Sequence, residues 1–112
     1  MGIVNRIGEP EQERLGLLSE EMGEVQQIIG KILRHGLDSY YPAFQGRSNA
    51  DYLEMEAGDV LAAIDLLVAC GTLNRERLYT AKLEKLKKLR SWLHCGTNLD
   101  AVDDLLVEGA KA

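Results

Sequence analysis

Glu21 and Glu24 stand three residues apart in one stretch of this 112-residue chain, and Glu56 and Asp59 repeat that spacing in another. On a helix, residues at i and i+3 share a face, so each pair offers two carboxylates to the same neighbour. If the two stretches pack antiparallel, all four acids enter one pocket, where their mutual repulsion demands either protonation or a cation. Carboxylate oxygens without His or Cys select a hard divalent ion, Mg²⁺ first and Mn²⁺ or Ca²⁺ after it. A glycine precedes the second acid of each pair, in Glu21-Met-Gly23-Glu24 and Glu56-Ala-Gly58-Asp59. Since Gly in a helix interior costs about 1 kcal/mol relative to Ala, these two need a reason: close helix approach or contact with a ligand.

The elements that must position these acids read as helices. From Glu11 to His35 the apolar residues Leu15, Leu18, Met22, Val25, Ile29 and Ile32 recur at spacings of three and four, and Gly36 follows as a stop. Projection of this helix places Glu21 and Glu24 on an arc with Leu17 and Ile28, with Glu20, Gln27, Lys31 and Arg34 on the opposite, solvated side. Lys31, Arg34 and His35 also suit the negative end of the helix dipole. A second helix is expected from about Asp51 to Cys70, capped by Ser48 or Asn49 and stopped at Gly71. Glu56 and Asp59 project there among Tyr52, Ala63, Leu66 and Cys70. Between Val60 and Cys70 the single polar residue is Asp65, which predicts a central helix covered on most sides.

A third helix is expected from about Arg75 to His94, opened by Thr72 or Asn74 and closed by Gly96. Lys82 and Lys85 project with Leu78, Leu89 and Trp92, where they can meet a phosphate or lie with their stems on apolar surface. The tail from 97 to 112 holds one short amphipathic turn around Val102, Leu105 and Leu106. The segment 1–10 precedes the first helix, and the loop 37–49 carries Tyr40, Tyr41 and Phe44, whose rings can stack a nucleobase or plug the end of a bundle. No strand-like alternation, repeat or low-complexity tract occurs. The chain is therefore expected to be a single all-α domain, an antiparallel bundle of three long helices plus a short C-terminal helix, completed by oligomerisation.

Composition narrows the partners. Thirteen Lys and Arg against eighteen Asp and Glu leave a net charge of −5, which provides no general field for duplex nucleic acid. Two cysteines, Cys70 and Cys95, make neither a disulfide framework nor a Cys-x-x-Cys site, and both are expected as reduced thiols. The nearly apolar run from Val60 to Cys70 is too short to span a bilayer, so a cytoplasmic protein is expected. His35 and His94 fall in no Glu-x-x-His pair, which disfavours a di-iron bundle. There is no phosphate-binding Walker loop and no Gly-x-Ser-x-Gly elbow, so no covalent nucleophile is evident.

Leu18-Ser-Glu-Glu21-Met-Gly-Glu24-Val25 followed by Glu54-Met-Glu56-Ala-Gly-Asp59-Val-Leu resembles the all-α nucleotide pyrophosphohydrolases of the MazG type. That group includes dimeric dUTPases, dCTP pyrophosphatases and phosphoribosyl-ATP pyrophosphohydrolases. The resemblance runs from about Leu15 to Arg90 and implies that Glu21, Glu24, Glu56 and Asp59 hold Mg²⁺, with Mn²⁺ as a substitute. It also implies hydrolysis of a nucleoside triphosphate to the monophosphate and pyrophosphate by an activated water, with Glu24 as the group that orients that water or takes its proton. Lys82 and Lys85 match the family's phosphate-binding lysines, Leu86 stands where the family has an asparagine, and members assemble as homodimers or homotetramers. Two rivals stay open: a non-catalytic helical interaction module with a structural divalent-ion site, and a phosphoribosyl-ATP pyrophosphohydrolase.

Overall fold

The computed structural model describes residues 6–39 and 46–111, and these are 82% helical with no strand among them. Four helices follow in order: α1 (Glu9–His35), α2 (Asn49–Ala69), α3 (Arg75–Trp92) and α4 (Gly96–Lys111). Tyr40, Tyr41 and Phe44 lie outside the described residues. The chain divides into two compact units, residues 1–72 with α1 and α2, and residues 73–112 with α3 and α4. No described helix is long and apolar enough to cross a membrane.

In the first unit α1 begins with Pro10 in its first turn, where a missing N–H costs nothing, and Glu9 and Glu11 favour the positive end of the dipole. It stops at Gly36, whose φ of +93° is a conformation that side chains with a Cβ rarely adopt. α2 opens with a reciprocal cap. The Ser48 hydroxyl accepts from Asp51 N–H at 3.1 Å, and the Asp51 carboxylate accepts from Ser48 N–H at 2.9 Å. Buried Asn49 ties the two helices together: its Nδ2 donates to the Gly36 carbonyl at 3.1 Å, and its own N–H donates to the Ser39 carbonyl at 2.8 Å. The end of α1 is thus fixed to the start of α2, and farther along, Glu24 meets Glu56, so the helices run antiparallel.

Ile28, Ala63 and Leu67 form the buried core of this unit. The expectation that α2 is covered on most sides is not met, because it buries one stripe on α1 while Leu61 stays 64% exposed and Leu66 40% exposed. With a single partner helix in the unit, an apolar surface on more than one side cannot all be buried.

In the second unit the Asn74 side chain accepts from Arg77 N–H at 2.9 Å and opens α3. Arg90 Nε meets Asp103 Oδ1 at 3.0 Å, and a Cβ added at Gly109 would lie 2.5 Å from Leu83 Cδ2, so α3 and α4 also run antiparallel and in close approach. Here the sequence reading needs correction at Gly96. It opens α4 rather than closing α3, and α4 extends over 16 residues rather than one short turn. The reason is local: the Cys95 sulfur accepts hydrogen bonds from the backbone N–H groups of Thr97 and Asn98, and so takes the place of the usual oxygen cap. Those bonds hold the Cys95 thiol below its ordinary pKa. Cys70 and Cys95 are both free.

Candidate metal centre

One carboxylate oxygen from each of Glu21, Glu24, Glu56 and Asp59 lies within 4.8 Å of the others. α1 supplies the first two and α2 the second two, each pair on a single helix face as the three-residue spacing requires. Glu21, Glu24 and Glu56 are half-buried and Asp59 is exposed, so the cluster has a covered floor and an open side. Oε2 of Glu21 and Oε2 of Glu56 are shut off from solvent and have no hydrogen-bond partner. A buried acceptor without a donor is costly, and two of them in one acid cluster mark a place that a cation would satisfy.

The electrostatics agree with the geometry. The Glu56 carboxyl donates a hydrogen bond to Glu24, and this bond, with burial and the charges of Glu24, Asp59 and Glu21, pushes the Glu56 pKa up from 4.5 to about 7. Burial, followed by the charges of Glu24, Asp59 and Glu20, also raises Glu21. The cluster therefore relieves its repulsion by keeping a proton.

A cavity of about 230 Å³ adjoins the cluster, lined by Glu24, Gln27, Ile28, Lys31, Arg47, Asn49, Tyr52 and Glu56. Half-buried Lys31 belongs to it, which corrects its placement on a solvated face, while Gln27 also lines it and stays exposed as expected. Lys31 follows Glu24 by two helical turns and so returns to the same side of α1. Tyr52 precedes Glu56 by one turn, and the helical projection of the sequence groups the two. Arg47 comes from the aperiodic segment before α2, where periodicity carries no signal, and Asn49 is the first residue of α2. Among the described residues glycine packing does not explain Gly23 and Gly58, since a Cβ built on either meets no described atom within 4 Å.

Lys82 and Lys85 lie on α3 in the second unit. Each ammonium sits over an aromatic ring of its own helix, Lys82 at 5.5 Å from the Tyr79 centroid and Lys85 at 5.2 Å from that of Trp92. Comparison with known protein families, curated proteins and solved structures gives no match to this chain.

Proposed function

We propose that this protein is a Mg²⁺-dependent nucleoside triphosphate pyrophosphohydrolase, in which Glu21, Glu24, Glu56 and Asp59 hold the ion. The observation that carries this reading is the convergence of four carboxylates within 4.8 Å, two of them with shut-off, unpartnered oxygens. An all-oxygen donor set of this charge fits a hard divalent cation, and the resemblance of both acid motifs to the MazG-type enzymes supplies the reaction class. When bound, the ion offers charge neutralisation at phosphate oxygens and activation of water. The chain's own part is to hold four oxygens in place through two helices pinned by Asn49, and to move a proton. Glu24, which already accepts a hydrogen bond from Glu56, is the group assigned to orient the water and receive its proton.

Large apolar residues left exposed, Leu33 at 82% and Leu61 at 64%, favour assembly into a homodimer or homotetramer. Sedimentation of the purified chain reads this directly, and a monomer at micromolar concentration would exclude it.

The test of the activity is product analysis. Nucleoside triphosphate incubated with the protein and Mg²⁺ should give monophosphate and pyrophosphate in equal amounts, and Glu56→Gln and Asp59→Asn should each abolish release. A wild-type protein that is stabilised by Mg²⁺ yet turns over no triphosphate would make it an ion-holding interaction module instead.

A further inference from the structure

The cavity beside the acid cluster carries two positive side chains, Lys31 and Arg47, that no described residue neutralises. Among the described residues the one ion pair is Arg90 with Asp103, and neither Lys31 nor Arg47 has a carboxylate partner. Arg47 Nη1 rests instead 3.5 Å from Met55 Sδ, a weak acceptor that leaves the guanidinium fork free for a better one. Glu24 and Glu56, the two acids that the cavity shares with the cluster, line it as well. One space is therefore lined both by two of the proposed ion ligands and by two cations with no ion-pair partner among the described residues.

Size and donor chemistry limit what fits. At about 230 Å³ the cavity falls below the roughly 300–1,000 Å³ of sites that enclose drug-sized ligands, so it takes one part of a nucleotide rather than the whole. Lysine and arginine only donate, so that part must bring acceptor oxygens and negative charge. Arg matches two oxygens of a phosphate at once, and Lys adds a point charge.

We infer that Lys31 and Arg47 bind the phosphate chain of the ligand at the end remote from the ion, so that the protein recognises its ligand by polyphosphate rather than by a base. This rests on the reading of the acid cluster as a Mg²⁺ site for phosphates. It assigns phosphate contacts to α1 and to the segment before α2, within the same unit as the acids.

The probe is inorganic pyrophosphate, which has neither base nor sugar, titrated calorimetrically into the full chain with Mg²⁺ present. Wild-type protein should bind it, and Lys31→Met and Arg47→Met should each weaken binding about tenfold, which is about 1.4 kcal/mol. Arg47→Lys should recover part of the loss. Helical circular dichroism and the Mg²⁺-induced rise in Tm should match wild type in all three variants, showing that the fold and the ion site persist. Unchanged pyrophosphate affinity in both Met variants overturns the inference. So does a result in which they alter only the ranking of nucleoside monophosphates, because that hands the cavity to the base. Failure of the underlying reading looks different: the wild-type chain would then show no Mg²⁺-induced Tm rise.

Discussion

Glu56 donates a hydrogen bond to Glu24 across the α1–α2 contact, and two carboxyl groups joined in this way hold one proton between them. The bond exists because α1 and α2 each turn an acid pair toward the other helix, and without an ion the cluster lowers its charge by staying partly protonated. A proton and the proposed cation would therefore compete for the same oxygens.

Competition fixes the pH dependence of ion binding. With Glu56 pushed up to about 7, Mg²⁺ must displace a proton at lower pH, so affinity should fall by about tenfold per pH unit below that point. Calorimetric titration at pH 6 in buffers of different ionisation heat should report release of nearly one proton. No proton release at pH 6 would remove Glu56 from the ion site.

The same shift affects the ion-free fold with the opposite sign from an ordinary ion-paired acid. Glu56 binds its proton more tightly folded than unfolded, so its stabilising contribution is fully present below about 4.5 and is lost as pH rises through about 7. Urea midpoints of wild type relative to Glu56→Gln should diverge across that window. Parallel curves would contradict the assignment.

Gly23 and Gly58 have open space where a Cβ would go, so neither is required for packing among the described residues. Gly23→Ala and Gly58→Ala should each stabilise the ion-free protein by about 0.5–1 kcal/mol in urea unfolding, from helix propensity alone. Destabilisation would reveal a neighbour at that face.

Asn49 is the buried polar residue of the first unit, and its side chain closes the connection between α1 and α2. Asn49→Ala leaves the Gly36 carbonyl without this donor and should cost about 1–3 kcal/mol of stability, read by chemical denaturation. A loss in Mg²⁺ affinity should accompany it, because the pin sets the register of the two acid pairs. A neutral substitution would show that the register is held elsewhere.

Much of this arrangement is legible in the chain because it depends on local periodicity. The three- and four-residue spacing from Leu15 to Ile32 marks α1, Ser48 and Asn74 mark helix starts, and the acid pairs lie on arcs that include Ile28 and Ala63, both buried. Other features depend on contacts that periodicity does not encode. Gly96 reads as a stop until the Cys95 sulfur is seen to cap the helix that follows. Lys31 reads as a solvated residue beside Arg34 and the helix end, although two turns bring it back to the side of Glu24. Arg47 and Asn49 reach the cavity only because the ends of α1 and α2 are tied together, a long-range event with no local signature.

The central claim, that one ion sits among these four acids, is tested most directly by anomalous diffraction from crystals grown with Mn²⁺ in place of Mg²⁺. The account predicts a single anomalous peak coordinated by Glu21, Glu24, Glu56 and Asp59, lost in crystals of Asp59→Asn. Carboxylates that turn apart into solvent with no peak between them, or a peak held by other residues, would contradict it.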